Sequence, residues 1–99
     1  MDHKLIWTLR ARADLSEIVQ HISHDQPRAA LEVGENILRH AKLLESFPLI
    51  GPPFRNSAIP SVRRIVCCEY LIIYRCKPTT REIEIIAIWH AARGHPDFL

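Results

Sequence analysis

At 99 residues the chain has room for one hydrophobic core, because domains usually need roughly 100 residues each, so a single domain spanning 1–99 is expected. With 47% hydrophobic and 24% charged residues it is too apolar to remain disordered. Its apolar runs are short and broken by charge, which excludes a span of the roughly 20 apolar residues a bilayer crossing requires.

The N-terminus, Met1 to Trp7, has no basic segment leading into a long apolar stretch and no small-residue cleavage site, so a cytoplasmic protein without a membrane partner is expected. Cys67, Cys68 and Cys76 are odd in number and form no Cys-x-x-Cys. They suggest neither a disulfide framework nor a zinc ribbon, and read as packed thiols. Leu5-Ile6-Trp7 has the aromatic and β-branched character of a first strand. Thr8 follows as an N-cap, after which Ala11, Leu15, Ile18, Val19 and Ile22 recur at the spacing of one helical face.

Asp25-Gln26-Pro27 ends that helix and begins another, since proline suits a first helical turn and pushes its predecessor out of helical geometry. Ala30, Gly34, Ile37, Ala41 and Leu44 line one stripe of the second helix, with small residues that allow close approach, and the run stops before Phe47-Pro48. An antiparallel helical hairpin is predicted. Leu31 and Leu38 lie seven apart on another part of this helix, to be covered by the sheet, by the 49–60 loop, or by a partner protein.

The proline-rich stretch from Pro48 to Pro60 is an irregular connection. Beyond it Val62–Cys67, Tyr70–Cys76 and Ile83–Trp89 read as a meander of three antiparallel strands. Strict alternation would set Ile83, Ile85, Ala87 and Trp89 on one face of the last strand and Glu84, Ile86, Ile88 and His90 on the other. Ile86 and Ile88 would then need cover from the chain's own loop or from a bound protein. The fold class is α+β, ordered β-α-α-β-β-β, with the hairpin packed on a small, mainly antiparallel sheet.

Positive charge gathers in the second half. From Arg55 to Arg81 six bases (Arg55, Arg63, Arg64, Arg75, Lys77 and Arg81) stand against one acid, Glu69, a balance suited to phosphates or an acidic partner and equally to a solvated surface. Arg63 and Arg64 leave a strand on opposite faces, so one of them needs an acceptor, with Glu82 or Glu84 competing against a ligand. His90 and Arg93 close the last strand. An imidazole that exchanges a proton near neutral pH and a guanidinium that stabilises developing negative charge are what attack of an RNA 2′-hydroxyl on its phosphate requires. A structural role for the histidine is the plainer alternative. His21 with His24, and His90 with His95, lack a third ligand in any recognisable motif, so no metal site is expected. No phosphate-binding glycine loop or nucleophile elbow is present, and no cofactor is indicated.

The element order, the spacing Leu15-x-x-Ile18-x-x-x-Ile22, the turn Phe47-Pro48-Leu49-Ile50-Gly51, Val62-Arg63-Arg64, Tyr70-Leu71-Ile72-Ile73-Tyr74-Arg75 and the close His90-x-x-Arg93 together resemble the ParE/RelE toxin superfamily over nearly the whole chain. The resemblance implies a growth-arresting, plasmid-stabilising toxin in a hetero-oligomer with a cognate antitoxin, which folds onto the toxin's helices and sheet. Leu31, Leu38, Ile86 and Ile88 become candidate antitoxin contacts.

One branch of the superfamily cleaves messenger RNA on the ribosome. The other inhibits DNA gyrase without a nuclease site. The ribonuclease branch uses lysines or a glutamate at the second helix and its loop, a strand arginine, and a terminal arginine or histidine with a tyrosine. Here Arg63 or Arg64 supplies the strand arginine, with Arg64 the one named beside His90 and Arg93, but Pro48 to Pro53 has neither acid nor lysine and no tyrosine follows Tyr74. A missing acid or base costs about two to four orders of magnitude in rate. The ParE-like, gyrase-binding branch is therefore favoured over the endoribonuclease, with no catalytic residue assigned. Arg63, Arg64, Arg75, His90 and Arg93 remain candidate target contacts. A toxin-like domain that retains only antitoxin binding is a third reading.

Overall fold

The computed structural model describes residues 3–54 and 57–99; Arg55, one of the six bases in the basic run, lies outside the described residues. Strand β1 (Lys4–Trp7) leads into helix α1 (Leu9–Asp25) and helix α2 (Pro27–Leu43), and strands β2 (Val62–Cys67), β3 (Tyr70–Lys77) and β4 (Glu82–His90) follow, then a 3-10 turn (Ala91–Arg93). Thr8 caps α1 as its sequence position predicts, its hydroxyl accepting from the Ala11 N–H at 3.1 Å. Gln26 joins the helices with Pro27 in the first turn of α2. The hairpin closes tightly at Gly34, where an added Cβ would lie 3.3 Å from Val19 Cγ2.

The sheet order is β1-β4-β3-β2, antiparallel from β2 to β4, with β1 parallel to β4 at the edge. The helices cover one face. Ile37 and Ala41 from α2 and Leu44, which caps it, join Ile72, Tyr74, Ile83, Ile85 and Ile88 in the main core, each large aliphatic side chain contributing roughly 1.5–3 kcal/mol when fully buried. The other face is closed by the chain itself: Phe54, Ile59, Phe98 and Leu99 pack on Val62, Ile73, Ala87 and Trp89. The Ala58 N–H donates to the Leu99 carbonyl at 2.9 Å, tying loop to C-terminus.

Strict alternation fails along β4. Tyr74 pairs with Ile85 but Ile73 pairs with Ala87, so Ile86 is an extra residue in the strand. A bulge of this kind passes the following side chains to the opposite face. Ile88 therefore joins Ile83 and Ile85 beneath the helices at 3% exposure, while Ala87 and Trp89 turn to the second core. Ile88 is thereby removed from the free apolar surface, and Ile86 packs partly buried on the second core.

The bulge coincides with the end of β1, where the outer edge of β4 loses its strand partner. Side chains of α1 and its N-cap take over. The Thr8 hydroxyl donates to the Ile85 carbonyl at 2.8 Å, and Asp14 Oδ2 accepts from the Ile88 N–H at 3.0 Å. Backbone groups that would otherwise be buried unpaired are satisfied in this way.

The three thiols are not uniformly packed: Cys67 is buried, Cys76 half-buried and Cys68 exposed. Cys68 sits in the β2–β3 turn at φ 59°, which carries its side chain away from the sheet. Burial pushes the Cys67 thiol up to about 11, with the neighbouring Cys68 adding to the shift. Among the described residues no helix is long and apolar enough to cross a membrane.

Candidate functional site

The five predicted contact residues do not form one patch. Alternation along β2 places Arg64 on the face of Val62, opposite the helices, where its guanidinium lies 5.2 Å from the Phe54 ring centroid. Arg75 shares that face and is occupied by Glu84 at 3.0 Å, with Lys77 on the same carboxylate at 3.4 Å. Glu84 thus balances Arg75 and Lys77, not the Arg63 or Arg64 that sequence spacing brought into consideration. Arg63 bends to the loop, where Nη1 donates to the Gly51 carbonyl at 2.6 Å.

His90 lies on the helix side at the end of β4. Its Nδ1 accepts from the Ala92 N–H at 3.1 Å and caps the 3-10 turn. Nε2 lies 3.5 Å from Glu69 Oε2, a carboxylate 79% exposed, so the contact adds little. The ring also packs edge-on against Tyr70, 5.1 Å between centroids. Arg93 stacks on Trp89 at 4.1 Å, which anchors the guanidinium by cation–π attraction.

His90, Arg93 and Tyr70 share a cleft of about 270 Å³ with Asp14, Glu17 and His21. Tyr70 is the residue that sequence reasoning missed: it precedes Tyr74 in the chain, yet antiparallel pairing sets it directly beside His90. Its phenol is pushed up, by burial first and then by Glu69 and Cys68. The cleft's two acids, Asp14 and Glu17, stand beside Arg93 and two imidazoles, and Asp14 is paired with Arg10 at 3.1 Å. Arg64 is remote from the cleft. Arg64 pairs with Ile73, which faces Ala87, leaving about 10 Å along the strand to His90, two strand spacings of about 4.8 Å across, and the sheet between. Among the described residues no group of histidine, cysteine, aspartate or glutamate could hold a metal ion.

Two apolar surfaces stand apart from this cleft. A groove of about 870 Å³ runs between β1 and the helices, lined by Leu5, Trp7, Leu15, Val19 and Leu38 among others. Leu31 adds an exposed side chain on α2, at 65% exposure. The second surface is the turn after α2, where Phe47, Leu49 and Ile50 are 56%, 63% and 60% exposed. It is held from beneath: the Gly51 N–H donates to the buried Tyr74 hydroxyl at 3.0 Å, and Arg63 holds the Gly51 carbonyl. A Cβ at Gly51 would collide with the Arg64 carbonyl and come within 2.9 Å of Tyr74 Oη. Burial raises the Tyr74 phenol, partly countered by the Gly51 hydrogen bond and Arg63.

A two-helix hairpin on a four-stranded mixed sheet, ordered β-α-α-β-β-β, is the architecture of a small toxin of a toxin-antitoxin system. The family model for the ParE toxin of type II toxin-antitoxin systems, parDE, matches residues 5–94, and the chain belongs to that family. The Y4kP protein of Sinorhizobium fredii (strain NBRC 101917 / NGR234) is 36% identical over 98 residues, covering 97% of this chain and 96% of its own.

Among solved structures, a chain of the chromosomal ParDE toxin-antitoxin system from P. aeruginosa is 30% identical, with a TM-score of 0.74, over 89% of this chain and 95% of that one. An E. coli RelE variant in the free state has a TM-score of 0.69 at 15% identity, covering 95% and 88% of the two chains. A chain of the Mycobacterium tuberculosis RelBE2 toxin-antitoxin complex has a TM-score of 0.67 at 21% identity, over 91% and 99%. The last two share the fold.

Proposed function

We propose that this toxin arrests growth by binding DNA gyrase, and that a cognate antitoxin neutralises it by occupying the groove between β1 and the helices. The observation that carries the first half is the separation of Arg64 from His90, on opposite faces of the sheet. Ribonucleolysis needs a general acid, a general base and a phosphate-binding cation within reach of one scissile bond. Here Arg64 and the terminal imidazole cannot share one, and Arg63, on the helix side, is held at the Gly51 carbonyl beside Tyr74, four residues along β3 from the Tyr70 that pairs with His90. The 30% identity to a ParDE chain supports the same branch.

The second half rests on Leu38, which lines the groove at 50% exposure, and on Leu31 farther along the same helix. An amphipathic segment laid into such a groove buries their apolar surface. Purified toxin is expected to inhibit gyrase supercoiling, and unaffected supercoiling at toxin excess would sink this reading. Leu38→Glu is expected to leave that inhibition intact while abolishing relief by the antitoxin.

The ribosome-dependent ribonuclease is the second reading, favoured by one observation: Tyr70 against His90 supplies the tyrosine that the chain after Tyr74 lacks. It requires transcript cleavage in a translating extract that disappears with His90→Ala or Tyr70→Phe.

A further inference from the structure

Two exposed apolar surfaces call for two partners. Counting about 100° per residue around α2, Leu38 lies within about 20° of Leu31, whereas Leu43, which leads into the Phe47 turn, is about 120° away. A segment lying in the β1 groove does not extend over both. The turn is also held more firmly than an unused surface requires. The Phe47 N–H donates to the Leu43 carbonyl at 3.0 Å, and the Ile50 N–H to the Phe47 carbonyl at 3.2 Å. Gly51 is then fixed on both its N–H and its carbonyl. Three large apolar side chains are thus presented in one conformation, so little ordering entropy remains to be lost on binding.

The charge around the turn is one-sided. Lys42 in the last turn of α2 leads into it, Arg63 donates to the Gly51 carbonyl and Arg64 to the Pro53 carbonyl at 3.4 Å, and Glu45 is the sole acid in the sequence from residue 39 to residue 66. We propose that Phe47, Leu49 and Ile50, rimmed by these cations, form the surface through which the toxin engages its target protein, and that the target offers an apolar recess bordered by acidic side chains. This rests on the reading of the chain as a target-binding toxin; it does not depend on the target being gyrase. Apolar anchors at the centre and charges at the rim divide the work in the usual way, the anchors holding the complex and the rim steering encounter.

The test is growth arrest by the toxin expressed alone, where losing an antitoxin contact has no consequence and losing a target contact does. The triple variant F47A/L49A/I50A is expected to relieve arrest, raising colony counts about a hundredfold or more. Its circular dichroism spectrum should match that of the wild type, because these side chains are exposed. Val66→Ala, at an exposed side chain of β2 outside both surfaces, is expected to arrest growth as the wild type does, and K42E/R64E to weaken arrest about tenfold.

Unchanged arrest with the triple variant, or no arrest with the wild type, overturns the proposal. Should the triple variant fold poorly, single Leu49→Ala and Ile50→Ala carry the same expectation with smaller effects. A dimeric wild type that becomes monomeric in the triple variant would assign the surface to a second copy instead. Full arrest by K42E/R64E would overturn the acidic partner. If the wild type arrests growth but leaves supercoiling untouched, and the triple variant relieves arrest, the gyrase reading fails while the target surface stands.

Discussion

The rim at the end of β4 and the turn after α2 are built on opposite terms. The rim carries the groups with chemical potential, yet His90 is held by a 3.5 Å contact to an exposed carboxylate and by capping a short 3-10 turn. Arg93 is exposed and rests on Trp89. The turn carries no reactive group, yet it is fixed by a buried tyrosine hydroxyl, an arginine and a glycine no other residue can replace without displacing β2. Catalysis depends on reactive groups held to within a fraction of an ångström, binding on contact surfaces held in one shape. This chain concentrates its constraint on the turn, the surface proposed above to meet the target.

The largest effect expected from that contrast is at Gly51. Gly51→Ala forces the loop off the Arg64 carbonyl and should cost about 3 kcal/mol, the upper part of the range for overpacking, as a lower urea midpoint; a loss under about 0.5 kcal/mol would show the turn to be loosely held. Tyr74→Phe leaves the Gly51 N–H buried without its partner, for an expected loss of about 2 kcal/mol in the same measurement.

Asp14→Ala tests a side-chain tie at the rim side, where the Ala91 N–H also donates to the Glu69 carbonyl at 2.9 Å. It strands the Ile88 N–H and should cost about 2 kcal/mol, with faster hydrogen exchange at the Ile88 amide while the turn is unaffected. His90→Ala is expected to have the smallest effect, about 0.5 kcal/mol, with growth arrest unchanged. Arrest abolished by His90→Ala in a folded protein would reverse the ranking of the two regions and restore the ribonuclease reading.

The pH response gives a further check, on the turn's anchor. Tyr74 has its ionisation raised in the folded state, so the unfolded chain loses this proton at lower pH than the folded one. The stability it contributes is complete below the ordinary tyrosine pKa of about 10 and is lost as pH rises through the higher folded value. In Tyr74→Phe the alkaline fall in stability should be shallower, the remainder coming from Tyr70 and Cys67, whose ionisations are raised in the same direction.

Local signals carried most of the architecture. Thr8, Pro27, the small-residue stripe of α2 and the three β-rich runs each act within a few residues, and each specifies the element it occupies. The family resemblance was legible for the same reason, being an order of such elements. The faces of β4 were not legible, because the bulge at Ile86 is a mismatch between two strands and leaves no mark on either alone. That one residue sent Ile88 into the core and moved Trp89 away from Ile85.

Tyr70 could not be joined to His90 by reading along the chain, since twenty residues separate them and only cross-strand register brings them together. The same holds for the Gly51 turn. Phe47 to Gly51 was visible as a motif, but the reason for its shape lies in Tyr74 and Arg63, which reach it from strands laid down later. Sequence by itself determined the elements, their order and the family, because hydrophobic period, caps and breakers are short-range. Only the tertiary structure decided which charged groups share a face and which apolar groups stay uncovered, because both depend on contacts between residues far apart in the chain.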